Sequence, residues 1–167
     1  IMEFGATQCK PKNPYCHICP LKDSCIAFNK NKIHELPVKI KSAKAKKKYF
    51  NFLVFISEDG KTILEKREGK GIWQNLYQFP LIETKNELKI ESFEKTLENH
   101  KLLNDMPFEY SLYNKELLVH KLSHQHLYTK FWIINTKELP IEGVSVSKVQ
   151  EFAVPILIGN FIEEFNF

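Results

Sequence analysis

Residues 49–57 read Tyr-Phe-Asn-Phe-Leu-Val-Phe-Ile-Ser. Aromatic and β-branched side chains suit a pleated, half-buried surface, so this run predicts a strand. Asp59-Gly60 follows as a turn dipeptide, and residues 61–68 (Lys-Thr-Ile-Leu-Glu-Lys-Arg-Glu) predict the returning strand of a hairpin. A Gly-bounded loop from residue 69 then runs into a third strand over residues 76–83. Residues 90–103 place Ile90, Phe93 and Leu97 near helical spacing, which predicts a helix. Residues 108–114, 116–123 and 126–136 predict three further strands, the last two joined by a short tip around Ser123–Gln125. Residues 146–165 predict one or two short helices around Pro155. Strands mixed with helices in this order imply the α+β class: a mixed sheet with helices on its faces, burying most of the 13 Phe and two Trp.

The N-terminal end has a different composition. All four cysteines of the chain lie between Cys9 and Cys25. Residues 1–30 form a cysteine segment, residues 31–48 a polar, Lys-rich connector, and residues 49–167 the sheet domain. Residues 39–48 carry six lysines in ten positions, a run that serves as a solvated linker or, beside domains that also face phosphate, as a nucleic-acid contact. No apolar run approaches the roughly 20 residues of a membrane helix, so no membrane association is expected. The start, Ile-Met-Glu-Phe-Gly-Ala-Thr-Gln-Cys, is too short and lacks the basic leader of a secretory signal. Its first residue is Ile, which reads as a piece of a longer protein.

The cysteine spacing is Cys9-x6-Cys16-x2-Cys19-x5-Cys25. A disulfide framework needs secretion, to which nothing else points. Structural zinc takes four ligands in two close pairs, and only Cys16 and Cys19 form such a pair. A cluster of four irons and four sulfides takes four thiolates from a loop that wraps around it. The spacing leans towards the cluster and leaves zinc open.

The segment ending Cys19-Pro20-Leu21-Lys22-Asp23-Ser24-Cys25 resembles the cluster loop of the endonuclease III and MutY family of DNA glycosylases. Residues 1–9 look like the end of the helix that feeds that loop. Residues 71–80, Gly-Ile-Trp-Gln-Asn-Leu-Tyr-Gln-Phe-Pro, resemble a Gly-Leu-Trp-x-x-Leu-Tyr-x-Phe-Pro stretch of the MutY C-terminal domain. Residues 120–127, His-Lys-Leu-Ser-His-Gln-His-Leu, resemble that domain's Phe-Ser-His hairpin. Plain endonuclease III ends soon after the cluster and lacks both, so the resemblance is to the C-terminal part of MutY-type adenine glycosylases and spans essentially the whole chain.

The resemblance implies a Nudix-like mixed sheet flanked by helices, preceded by a short iron–sulfur loop. It implies Cys9, Cys16, Cys19 and Cys25 as ligands of a 4Fe-4S cluster, whose assembly in so short a segment, without the helices it would pack on, is open. Lys10, Lys12 and Lys22, set among the ligands, are implied contacts to DNA phosphates. Ser123 and His124, with Leu122 where the family has Phe, are implied readers of 8-oxoguanine mispaired with adenine in double-stranded DNA. Leu122 would act as an apolar wedge. Trp73, Leu76, Tyr77 and Phe79 read as core and loop packing, and His120 and His126 as strand residues.

Two kinds of chemistry are expected to be absent. The Nudix hydrolase box of glutamates is not found, since residues 90–103 offer only Glu91, Glu94 and Glu98, so no magnesium-dependent pyrophosphatase is expected. The carboxylates that excise adenine lie upstream of the cluster in the family, so no catalytic residue is expected here. The competing readings are a true Nudix pyrophosphohydrolase, a zinc-stapled DNA-binding module and a small electron-transfer protein. The expected setting is a monomer on DNA in a bacterial cytoplasm.

Overall fold

In a computed structural model, residues 1–36, 38, 44–97, 100–103 and 107–167 are described. Two units result, Ile1–Ala43 and Lys44–Phe167.

Strand β1 (Lys46–Ser57) opens the larger unit and includes the aromatic run. Phe50 to Phe55 are all buried, as befits a central strand covered on both faces. The strand starts three residues before position 49, so Lys46, Lys47 and Lys48 belong to the sheet and not to a connector. Residues 37 and 39–43 of the expected connector lie outside the described residues.

After the turn, β2 (Lys61–Thr62) and β3 (Glu65–Lys66) replace the single returning strand. The Asp59-Gly60 turn forms as expected: Gly60 adopts φ +71° and its N–H donates to Ser57 O at 3.0 Å. The hairpin does not, because β1 has other partners. On one side it pairs with β8 (Gln125–Thr136), parallel, from Lys46↔Gln125 to Ser57↔Thr136. On the other it pairs antiparallel with β5 (Leu81–Thr84), and Leu53 N–H donates to Pro80 O at 2.8 Å. Residues 61–66 therefore pair elsewhere: β2 with β9 (Val144–Ser145), and β3 with β4 (Tyr77–Gln78).

The strand expected over 76–83 is also split, into β4 and β5, at Phe79-Pro80. Proline has no N–H to give a ladder, so pairing changes partner there. The outer edge of β8 carries β6 (Phe108–Leu112) and then β7 (Leu118–Lys121), both antiparallel. The main sheet runs β5-β1-β8-β6, with β7 also on β8.

Alternation along β1 and β8 makes two cores. Phe50, Phe52, Val54, Leu127, Phe131 and Ile133 face helix α4 (Ile156–Phe165; the shorter α1, α2 and α3 are given below), which contributes Ile158, Phe161 and Ile162. Phe161 stacks on Phe131 with centroids 4.0 Å apart and planes at 6°. Leu53, Phe55, Trp132 and Ile134 face α3 (Ile90–Leu97), through Phe93 and Leu97. Phe93 lies flat on Trp132 at 3.7 Å. This helix is shorter than the expected 90–103. Residues 98 and 99 lie outside the described residues, and His100 and Leu103 donate to residues three back, which closes turns instead of extending the α-helix. The tail holds a 3-10 turn, Val146–Glu151, then α4 after Pro155.

The smaller unit contains α1 (Met2–Thr7), a 3-10 turn (Cys16–Ile18) and α2 (Ile26–Asn29), none of which contributes a buried residue. Among the described residues, no helix is long and apolar enough to cross a membrane.

Truncating Phe161 removes the ring that joins α4 to Phe131, Phe79 and Tyr113. Phe161→Ala is expected to lower unfolding free energy by about 3–5 kcal/mol in urea titration. A loss below about 1 kcal/mol would mean that α4 is not integral to the fold.

Candidate functional site

The β7–β8 hairpin turns over two residues, Ser123 and His124. Lys121 is paired with His126, and Leu122 N–H donates to Gln125 O at 2.8 Å, so nothing but the two tip residues is left outside the ladder. Both are exposed. Ser123 Oγ lies 3.4 Å from His124 Nδ1. Lys46 N–H donates to His124 O at 3.1 Å, which ties the tip to the start of β1. Leu122 is half-buried and packs against the α4-side core. A side chain so engaged seats the hairpin, and its placement lends no support to a wedge.

The 71–80 loop abuts the base of this hairpin. Trp73 lies 5.9 Å from the His120 ring and meets Phe50 edge-on at 6.1 Å. Phe79 is fully buried, so the loop's aromatics serve packing, as expected. Trp73 and Asn75 take positive φ (60° and 66°), a region that asparagine tolerates but that a bulky tryptophan adopts only when held.

Arg67 is the holder. Its Nε donates to Ile72 O at 3.1 Å and its Nη1 to Gln78 Oε1 at 3.0 Å. Its Nη2 faces Glu83 at 3.6 Å, and its backbone bonds Leu76 and Asn75. The sequence gives no signal for this role: an arginine inside Glu65-Lys66-Arg67-Glu68 looks like part of a solvated face.

All four cysteines line one small cavity, together with Gln8, Tyr15, Lys22 and Phe28. Desolvation pushes the Cys16 thiol above its usual range, helped by the charges of Cys25, Cys19 and Cys9. Lys10 sits over the Tyr15 ring at 3.9 Å, and Lys22 near Phe28 at 5.0 Å, while Lys12 is exposed. Among the described residues no three His, Cys, Asp or Glu are arranged to hold a metal ion. On α3, Glu94 accepts from Tyr110 Oη at 3.1 Å and Glu91 is exposed; Glu98 lies outside the described residues.

Residues 51–164 match the NUDIX domain family. The chain belongs to that family. The NUDIX domain's fold agrees with that of the C-terminal domain of mouse MUTYH, solved in complex with human PCNA (TM-score 0.53, 12% identity, 71% of this chain and 87% of that one). It also agrees with that of a MutT protein from Methanosarcina mazei Go1 (TM-score 0.50, 15% identity, 75% and 96%). These likenesses concern the fold.

In sequence, the chain is similar to adenine DNA glycosylases of Buchnera aphidicola. The identity is 29% over 140 residues for the Baizongia pistaciae strain, covering 82% of this chain and 36% of the relative. It is 40% over 85 residues for the Schizaphis graminum strain, covering 51% and 24%. It is 31% over 125 residues for the Acyrthosiphon pisum strain, covering 74% and 32%. The chain thus spans about a quarter to a third of the length of these relatives, and the resemblance to the C-terminal part of MutY-type glycosylases extends beyond three short motifs.

Arg67→Ala leaves the Gln78 amide and the Ile72 carbonyl without their charged partner. The NUDIX domain is expected to lose about 2–4 kcal/mol, read from the urea midpoint. The Trp73 emission should shift as the loop loosens; an unchanged midpoint would show that the loop holds its own shape.

Proposed function

We propose that this chain is the C-terminal part of an adenine DNA glycosylase, in which it recognises 8-oxoguanine mispaired with adenine. Excision of adenine would fall to a domain outside it. The observation that carries the reading is the Ser123–His124 tip, a two-residue turn in which both side chains are exposed on a hairpin fixed at its base.

Guanine offers an acceptor at N7 and a bare C8–H. 8-Oxoguanine offers a donor at N7 and an acceptor at O8. A hydroxyl both donates and accepts, so Ser123 Oγ answers either group, and the adjacent imidazole adds a second polar contact. A matched pair of this kind is worth about 1–3 kcal/mol of discrimination. A tight hairpin tied to β1 presents that pair with little motion left to freeze on binding.

The same reading assigns a 4Fe-4S cluster to Cys9, Cys16, Cys19 and Cys25. A single tetrahedral ion needs its sulfurs about 2.3 Å from one centre, whereas a cluster takes each thiolate at a separate iron. Four thiols lining one cavity are the donor set that such a cluster takes. When bound, the cluster would act as a staple, giving the smaller unit the stability that its helices, with no buried residue, do not supply. Lys10, Lys12 and Lys22 would then meet DNA phosphates from a fixed loop. The setting is DNA in a bacterial cytoplasm.

In the longer enzyme, Ser123→Ala/His124→Ala is expected to cut the preference for adenine opposite 8-oxoguanine over adenine opposite guanine by roughly 5- to 150-fold. The rate opposite guanine should hold. Unchanged rates on both substrates would sink the lesion-reading assignment. For the cysteines, anaerobically purified protein should contain about four irons and four sulfides per chain. One zinc per chain would overturn the cluster.

A further inference from the structure

Two residue rows cross the sheet beside the hairpin tip. Tyr49 on β1 pairs with Tyr128 on β8, which pairs with Val119 on β7. Two residues nearer the tip, Lys47 pairs with His126, which pairs with Lys121. Because side chains alternate, positions two apart share a face, so both rows look the same way. One row is aromatic and apolar, the other basic. The tyrosines stack at 5.2 Å with planes 25° apart, and the Lys47 ammonium lies 5.7 Å from the Tyr128 ring centre. Lys47, Lys121 and Val119 are exposed and the tyrosines half-buried.

This is the face that α3 covers further along. Cover stops at Lys130, a buried lysine that donates to Leu88 O at 2.9 Å and pairs with Glu87 at 2.7 Å. Beyond it the two rows stand open. The neighbouring Lys48 points to the opposite face and is paired with Glu83 at 3.2 Å. Among the described residues, neither Lys47 nor Lys121 has an ion-pair partner, and neither row contains a carboxylate.

Resting on the reading above, we infer that this face is a second contact surface for duplex DNA. It holds the sugar–phosphate backbone next to the base that the tip reads. Charge and position carry the inference. Three neighbouring strands put the backbones of Lys47 and Lys121 about 10 Å apart, so their ammoniums can meet two separate phosphates of one strand. The Lys46 N–H to His124 O bond fixes the row relative to the tip, so a backbone followed by one passes the other. The tyrosines and Val119 form the floor on which deoxyribose packs, and tyrosine hydroxyls are common phosphate donors. An acidic protein segment would satisfy the lysines equally, and nothing else on this face suits one.

The test is fluorescence anisotropy with the 167-residue chain and two labelled duplexes, one with a central adenine·8-oxoguanine pair and one undamaged, between 50 and 200 mM salt. Lys47→Ala/Lys121→Ala is expected to weaken both duplexes alike, by roughly tenfold or more at the low-salt end. It should flatten the log–log salt slope by about 2, at ~0.9 per lost phosphate contact, and leave the preference for the lesion intact. Lys95→Ala/Lys148→Ala, an equal charge loss on α3 and the 146–151 turn, should leave the slope nearly unchanged. Tyr128→Ser should weaken both duplexes without changing the slope.

An unchanged slope for the Lys47/Lys121 pair, with Ser123→Ala/His124→Ala still abolishing the preference, overturns this surface and spares the lesion reader. A flattened slope with no effect of the tip variant does the reverse. A chain that binds neither duplex but binds polyglutamate, and loses it with Lys47 and Lys121, overturns this surface in favour of an acidic partner.

Discussion

The larger unit depends on the parallel pairing of β1 with β8. Each strand is buried on both faces, and each brings side chains to both cores. The rest of the main sheet and the two longer helices are placed against this pair: β5 on one edge, β6 and β7 on the other, α4 over one face and α3 over part of the second. The tip obeys it too, since His124 hangs from the first residue of β1 and from the first residues of β8. The Ser123–His124 tip is thus held by a pairing buried on both faces, so its geometry does not rest on the turn's own few bonds.

Much of this was legible in the sequence because it was local. The aromatic run of 49–57, the turn at Asp59-Gly60, the helix at Ile90 and the tail around Pro155 all declare themselves within a dozen residues. The tip declared itself by its motif. What escaped was non-local. Nothing in residues 61–68 says that β1 has already given its edges to residues far along the chain, so a hairpin is the natural but wrong expectation. The break at Pro80 was visible as a residue that cannot donate, yet only the partner strands show where pairing resumes. Arg67 was hidden for the opposite reason: its neighbours are charged, and only the fold reveals that it points into a loop rather than into water.

The lysine run shows how a composition statement divides once strand geometry is applied. Six lysines in ten positions look uniform. Two of the consecutive ones, Lys47 and Lys48, are sent to opposite faces. One meets Glu83 and helps close the sheet edge against Arg67's neighbourhood. The other lies over Tyr128 and, among the described residues, has no ion-pair partner. The cysteine segment contrasts with this. Its helices are short and bury no residue, so they give it no apolar core.

The β1–β8 pairing also has a history during synthesis. Residue 125 leaves the ribosome 79 residues after residue 46, at roughly 5–20 residues per second a delay of about 4–16 s. Throughout that interval the buried run Phe50 to Phe55 has no lasting partner on its principal edge. The turns, α3 and β5 can form, but the surface meant for β8 stays sticky. The tip emerges just before the strand that rescues it. The Ser123–His124 tip therefore leaves the ribosome while that edge is still uncovered, and the residues directly after it close the interval of greatest self-association risk.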